Sequence, residues 1–328
     1  MEIGIIGLGN LGTALAYVAA GNGHRVTGWE YDKIVIEQIN REHCNRRYLP
    51  EITLADSVRA TASVTEVFER AQLVFITLPS RFIRPVLGTV AVQLNSRPGI
   101  VNMSKGIDAD TGITAFETVT SLFPQHATAM LAGPSLANEF SAGVLTGLVA
   151  ASGDRQLIAA IDSALGNSRF VIVSGDDPVG VELGGVLKNI YAMGIGLFDN
   201  DPDRGLNFVG AYLTRAMAEI VALGTALGAR EQTFWQLSGI GDLVTTALSE
   251  HSHNRRMGRL VARGFTVDEI EQQMGVLPEG YTTMTAALAL AEKHEVALPL
   301  ARLLHQVIHG EFGTDRFYDR FAEILRGG

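Results

Sequence analysis

The sequence predicts an α/β domain over residues 1–176 followed by an all-α domain over residues 177–328. Three observations carry that division. Short apolar runs alternate with helical patterns up to about residue 174, as βαβ units do. Ser174-Gly-Asp-Asp-Pro178 then breaks the composition. Beyond it the strand signal is gone, and only segments of helical period remain. At 328 residues the chain is long for one ordinary domain and comfortable for two, and 47% apolar residues supply a sizeable core.

The first element is a short apolar strand, Ile3–Ile6, that runs straight into Gly7-x-Gly9-x-x-Gly12 and then into an apolar helix carrying Ala14, Leu15, Val18 and Ala19. Gly7 permits a tight turn, Gly9 lets a pyrophosphate approach the backbone, and Gly12 lets helix and strand pack closely. The helix offers unpaired N–H groups and its positive dipole end to an anion. A second strand, Arg25–Trp29, ends at Glu30, which stands 18 residues after Gly12, near the spacing of a ribose-binding carboxylate. A glycine turn alone is weak evidence; strand, turn, helix and acid in this order point to a Rossmann dinucleotide-binding domain.

Further strands are expected at Leu73–Thr77, Ile100–Asn102, Thr128–Leu131, Leu148–Ala151 and Phe170–Val173, with helices at Lys33–Asn40, Val64–Glu69 and Thr114–Leu122. Three strands end in polar or small residues: Thr77-Leu-Pro-Ser80, Ser104-Lys-Gly106 and Ala132-Gly-Pro-Ser135. Ligands sit outside the carboxyl ends of strands in open parallel sheets, so these turns are placed to line a site. In the second domain, helices are expected at Val181–Phe198, Gly210–Leu227, Asn254–Arg263, Val267–Met274, Thr283–His294 and Leu298–His309.

The first of these helices carries Gly180, Gly184, Gly185, Gly194 and Gly196. Each interior glycine costs roughly 1 kcal/mol relative to alanine. A helix held close against another backbone or a cofactor recovers that cost; a solvent-facing one does not. Gly184, Lys188 and Ala192 share one face, so a lone lysine projects from a stripe of small residues, in apolar surroundings that make burial as natural as exposure.

Composition excludes several classes. A net charge of −9 and the lack of a basic stripe with interleaved aromatics argue against nucleic-acid binding, though a local cationic pocket for a phosphorylated substrate is compatible with it. One cysteine, Cys44, excludes an internal disulfide framework and a cysteine-rich metal site. His251 and His253 pair without the spacing of a metal motif, so no metal is expected. The chain enters its nucleotide strand at once and shows no uninterrupted apolar run of membrane-spanning length, so neither a signal peptide nor a membrane span is expected. A cytoplasmic location follows as an expectation.

An ordered set of motifs then resembles the NAD(P)-dependent glycerol-3-phosphate dehydrogenases. The set runs from Gly7-Leu-Gly-Asn-Leu-Gly-Thr-Ala-Leu-Ala16 through Asn45-Arg-Arg-Tyr-Leu-Pro50, Pro79-Ser80 and Ser104-Lys-Gly-Ile107 to Gly133-Pro-Ser-Leu-Ala-Asn-Glu139. It continues with Leu183-Gly-Gly-Val-Leu-Lys-Asn-Ile-Tyr-Ala192, Gly239-Ile-Gly-Asp-Leu243, Ser252-His-Asn-Arg255 and Glu279-Gly280. The family fold, a Rossmann domain followed by an α-helical substrate domain, agrees with the reading above.

The resemblance implies roles. Asn10 and Leu11 contact the cofactor phosphates beside Gly7, Gly9 and Gly12; Ala137, Leu277 and Glu279 match positions near the cofactor, with Glu30 and Tyr31 at its ribose. Lys105 lies near nicotinamide and substrate. Gly133, Ser135, Ser252, His253 and Asn254 match substrate positions, and Arg255 beside them suits an anion. Lys188 is the implied catalytic lysine and Asp242 the aspartate beside it. Reducing dihydroxyacetone phosphate needs a hydride at C2 and a proton at the carbonyl oxygen, and a positioned ammonium can stabilise the alkoxide and protonate it. Such a lysine needs its pKa lowered by burial or a nearby cation such as Lys105, a shift that Asp242 would oppose. A homodimer is a further implication of the family.

Two departures qualify the resemblance. Residue 253 is histidine where the family has arginine, so the bidentate fork and the permanent charge are missing. Trp29-Glu-Tyr-Asp32 is acidic where members that prefer NADP place a base, which favours NAD over NADP. The stretch Asp199–Asn207 also differs from the family's glycine-rich segment. Two other readings stay open: a related two-domain dehydrogenase with a drifted hydroxy-acid or polyol-phosphate substrate, and a non-catalytic dinucleotide sensor. A sensor would need none of Lys105, Lys188 and Asp242.

Overall fold

The computed structural model describes residues 1–91, 94, 96–201, 204–250 and 252–327. The chain divides into two compact units, residues 1–105 with 113–178, and residues 106–112 with 179–328. Segment 106–112, which the sequence places in the α/β part, therefore groups with the helical part.

The first unit is one eight-stranded sheet: β1 (Glu2–Ile6), β2 (Arg25–Trp29), β3 (Val58–Thr61), β4 (Leu73–Ile76), β5 (Gly99–Asn102), β6 (Thr128–Ala132), β7 (Thr146–Ala151) and β8 (Phe170–Gly175). Its order is β3-β2-β1-β4-β5-β6-β7-β8, parallel throughout except between β6 and β7. Its helices are α1 (Asn10–Gly21), α2 (Lys33–Glu37), α3 (Val64–Arg70), α4 (Ile83–Ala91), α5 (Ala115–Leu122), α6 (Ala137–Ser141) and α7 (Arg155–Leu165). The central strands are buried on both faces, hence their near-continuous apolar runs, as in Leu73-Val-Phe-Ile76. The strand order reverses between β1 and β4, the switch point at which open α/β sheets bind ligands outside the carboxyl ends of their strands.

Local chemistry sets the helix starts. Ser63 and Asp154 cap α3 and α7 through side-chain oxygens, and Thr114 forms a capping box with Glu117 at α5. The expected helix Lys33–Asn40 is shorter as α-helix and continues as a π-helical turn over Gln38–Glu42. Strand β3 has no counterpart in the sequence reading. It is an edge strand of four residues with exposed Arg59 between buried Val58 and Ala60, too short and too polar to register as a run.

The second unit is helical: α8 (Pro178–Leu197), α9 (Leu206–Ala226), α10 (Glu231–Phe234), α11 (Asp242–Leu248), α12 (His253–Ala262), α13 (Val267–Met274), α14 (Glu279–Lys293), α15 (Pro299–Ile308) and α16 (Phe317–Gly327), with a π-turn at Leu237–Gly241. Helix α8 is buried along nearly its whole length. Two of its glycines, Gly184 and Gly196, face backbone. A Cβ at Gly184 would collide with Ser238 and Gly239, and one at Gly196 with the main chain of Arg255. Helix α9 is long and apolar enough to cross a membrane by length and composition. It carries Arg215 and Glu219, however, and packs Tyr212, Ala216, Met217, Ile220 and Leu223 into this unit's core.

Glu219 links three helices. Its Oε1 accepts from the Leu300 N–H at 2.7 Å, and its Oε2 from the Ala301 N–H and the Tyr191 hydroxyl, both at 3.0 Å. It thereby caps α15, whose own N-cap residue Leu298 has no side-chain acceptor. Burial raises its carboxyl pKa above the ordinary 4.5, outweighing the hydrogen bonds and Arg215, which lower it. The folded state thus holds this proton more tightly than the unfolded chain, so the stability it contributes falls as pH rises from 4.5 through the folded pKa. Glu219→Gln cannot titrate. The melting-temperature advantage of the wild type over this variant is expected to shrink from pH 4.5 towards neutrality; a widening gap would show that the donors outweigh burial.

Candidate active site

In the first unit the glycine turn joins β1 to α1. Gly7 has φ +104° and its N–H donates to the Trp29 carbonyl at 3.1 Å. A Cβ on Gly12 would overlap the Gly7 carbonyl oxygen, whereas a Cβ on Gly9 would meet nothing within 4 Å. Gly12 is therefore required for packing, and Gly9 opens space above the turn. The first turn of α1 has no side-chain cap and no acidic residue, so its N–H groups and dipole face an anion unopposed. Asn10 is exposed and Leu11 half-buried at this end.

The turn is braced from two sides. Thr77 Oγ1 donates to the Gly7 carbonyl at 2.7 Å. The fully buried Asn45 donates through Nδ2 to the Leu8 carbonyl and to Thr13 Oγ1, both at 2.8 Å. Asn45 opens the Asn45–Pro50 motif, to which sequence reasoning attached no role. These contacts fit a pyrophosphate cradle whose shape is set before any ligand arrives.

At the end of β2, Glu30 is buried and turned to its own loop: Oε1 accepts from the Tyr31 N–H at 2.9 Å and the Asp32 N–H at 3.1 Å. Asp32 caps α2 through the Ile34 N–H at 2.9 Å and holds Arg47 Nη1 at 2.8 Å. Tyr31 is exposed. After β5, Asn102 ties the turn with two bonds to Ser104, and half-buried Lys105 follows. After β6, Gly133 has φ +145°, a conformation that favours glycine, and Ser135 and Ala137 are half-buried beyond it. Because β1, β4, β5 and β6 are successive parallel neighbours, these turns share the carboxyl edge of the sheet.

In the second unit, Lys188 is 5% exposed and Asp242 2% exposed. Lys188 Nζ donates to Asp242 Oδ1 at 2.5 Å and to Thr246 Oγ1. Thr246, one helical turn after Asp242 on α11, was not expected; the i, i+4 spacing is the signal that could have found it. Ser252 caps α12 by accepting from the Arg255 N–H at 3.3 Å. Asn254 spends both ends of its amide: Nδ2 donates to Asn189 Oδ1 at 3.0 Å, and Oδ1 accepts from the Gly280 N–H at 2.9 Å. That bridge joins the residue after Lys188 to the start of α14, where half-buried Glu279 sits; Leu277 precedes it, also half-buried. His253 is exposed. Arg255 is buried, with Nε on Asp199 Oδ2 at 2.6 Å and Nη1 on the Leu248 carbonyl at 3.0 Å. His251 lies outside the described residues. Among the described residues no three His, Cys, Asp or Glu side chains gather as a metal site.

A doubly wound sheet with a braced glycine turn, together with a helical unit holding a buried lysine–aspartate pair, defines a two-domain dinucleotide-dependent dehydrogenase. Family models of the NAD-dependent glycerol-3-phosphate dehydrogenases match twice: the amino-terminal one over residues 2–158 and the carboxyl-terminal one over residues 177–319. The chain belongs to this family. A glycerol-3-phosphate dehydrogenase (NAD(P)+) of Nitratidesulfovibrio vulgaris is 38% identical, covering 99% of both chains. One of Enterococcus faecalis is 36% identical, covering 94% of this chain and 92% of that one. The crystal structure of glycerol-3-phosphate dehydrogenase from Coxiella burnetii superposes with a TM-score of 0.89 at 30% identity, over 99% and 98% of the two chains.

Gly12→Ala tests the cradle. The added methyl overlaps the Gly7 carbonyl, so we expect a loss of about 1–3 kcal/mol of stability and weaker dinucleotide binding. Thermal melts and NADH fluorescence titration check both. Unchanged affinity would mean that the turn tolerates a wider helix–strand spacing.

Proposed function

We propose that the chain interconverts dihydroxyacetone phosphate and sn-glycerol 3-phosphate with a nicotinamide cofactor, NAD in preference to NADP. The observation that carries this reading is the buried Lys188, on a glycine-packed helix and held by Asp242 and Thr246 of another, in a member of this family. The bound cofactor supplies the hydride. Gly7, Gly9, Asn10, Leu11 and Gly12 bind its pyrophosphate on the uncapped start of α1. Lys188 holds the proton at Nζ and delivers it to the substrate oxygen as charge develops there. Asp242 and Thr246 orient that ammonium, and a carboxylate beside it offsets the cost of burying the charge. Lys105, Gly133, Ser135, Ser252, His253 and Asn254, the substrate positions that the family resemblance implies, position the substrate. Cytoplasmic glycerophospholipid synthesis is the proposed destination of the product, and a homodimer the proposed assembly.

The NAD preference rests on charge at the end of β2. Glu30 is fixed by two N–H donors and Asp32 stands two residues on, so a 2′-phosphate would approach carboxylates. Arg47 is already paired with Asp32 at 2.8 Å. We expect kcat/KM for NADH to exceed that for NADPH by about tenfold or more, a difference of about 1.4 kcal/mol. The reverse preference, measured side by side, would place Arg47 on the phosphate.

Lys188→Ala tests the chemistry. Turnover with dihydroxyacetone phosphate and NADH is expected to fall by about 100- to 10,000-fold, while NADH titration shows unchanged affinity. Lys188→Arg is not expected to rescue, because guanidinium does not release its proton near neutrality. Normal turnover with intact NADH binding would refute the assignment and leave Lys188 a packing residue.

A further inference from the structure

We propose that Arg255 is a positioning residue: its guanidinium ties the end of α8 to the end of α11 and so holds Lys188 against Asp242 and Thr246. The inference rests on the reading that Lys188 carries the chemistry. Lys188 lies on α8 while its two partners lie on α11, so the constellation exists only while these helices keep their register. At one end of α11 the register is set by backbone contact, where Gly184 packs on Ser238 and Gly239. At the other end there is Arg255.

Arg255 Nε donates to Asp199 Oδ2 at 2.6 Å, and Asp199 follows α8 by two residues. Arg255 Nη1 donates to the carbonyl of Leu248 at 3.0 Å, and Leu248 is the last residue of α11, two beyond Thr246. The Arg255 main chain is itself pressed onto α8 at Gly196. The carboxylate it grips is fixed in turn: Asp199 Oδ1 accepts from Arg204 Nη1 at 2.9 Å, and Oδ2 also from Arg259 Nη1 at 3.3 Å. Side-chain exposures of 10% for Arg255 and 6% for Asp199 keep the pair out of competition with water.

A guanidinium suits this task because its donors lie in a rigid plane, so two acceptors on different helices are held at a fixed separation. Cations are also favoured at helix carboxyl ends, and both α8 and α11 terminate here. The segment that begins at Asp199 and differs from the family's glycine-rich stretch thereby acquires a role; residues 202 and 203 lie outside the described part.

The test compares Arg255→Lys, Asp199→Asn and the double variant with wild type and Lys188→Ala. Initial rates, NADH titration and melting temperature are measured for each. A lysine keeps the charge but cannot span both acceptors with a rigid fork. A displacement of about 1 Å can cost about 100-fold in rate. Arg255→Lys is therefore expected to lose about 10- to 100-fold in kcat, with KM for dihydroxyacetone phosphate and NADH affinity near wild type. Asp199→Asn should fall in the same direction, and the double variant should be no worse than Arg255→Lys, since both break one clamp. A raised KM with kcat intact would overturn the proposal and put Arg255 on the substrate. Unchanged kcat and KM with a lowered melting temperature would overturn it too, leaving a structural role. Should Arg255→Lys fail to fold, Asp199→Asn, which keeps its side-chain shape, reads the same split. Retained turnover in Lys188→Ala would sink the functional reading itself; an inactive Lys188→Ala beside a normal Arg255→Lys sinks only the clamp.

Discussion

The second unit depends on how closely α8 approaches its neighbours. Gly184 admits Ser238 and Gly239, Gly196 admits Arg255, and from the opposite side Gly258 admits the Met193 carbonyl. Each glycine inside a helix is unfavourable by roughly 1 kcal/mol, yet any Cβ at these places would push a helix away. The separation that results is what lets Asp242 reach Lys188. A buried ammonium deprived of its carboxylate is destabilising by about 3–5 kcal/mol. Helix packing and ion pair are therefore one constraint: the glycines bring the aspartate in, and the aspartate makes it tolerable to bury the lysine that faces them.

The first unit uses the same residue type differently. Gly12 removes a Cβ so that α1 can close on β1, but Gly9 removes one where nothing stands opposite. The first is a packing requirement and the second a vacancy suited to a ligand. What keeps the vacancy in shape is remote in sequence: Thr77 from the end of β4 and Asn45 from the loop beyond α2 both hold the turn's carbonyls. Both carbonyls are thereby satisfied within the fold, and the uncapped start of α1 has N–H groups to offer an anion.

Much of this was legible in the residues, for local reasons. Strands buried on both faces are apolar without interruption, so Leu73–Ile76 stood out, and the excess of glycine in α8 announced a close contact before its partner was known. Edge strand β3, the short α6 and the Pro85-containing α4 lack such signals, because length and composition hardly separate them from loops. Thr246 was hidden because α11 follows Gly239-Ile-Gly241, which reads as a turn. The grouping of 106–112 with the helical unit and the pairing of Asp199 with Arg255, 56 positions apart, are tertiary facts with no local trace.

That tertiary frame also explains how the chain accommodates histidine at residue 253. The first turn of α12 is held by the Ser252 cap, by Asn254 between Asn189 and Gly280, and by Arg255 on Asp199. None of these contacts uses the side chain of residue 253, which is exposed. Exchanging the family's arginine for histidine therefore leaves the position of the helix untouched and changes only the charge and reach presented at its start. A long, planar fork of donors with permanent charge gives way to a shorter imidazole ring without that fork. The scaffold and the chemistry of that turn are separable, because neighbouring residues carry the packing and residue 253 does not.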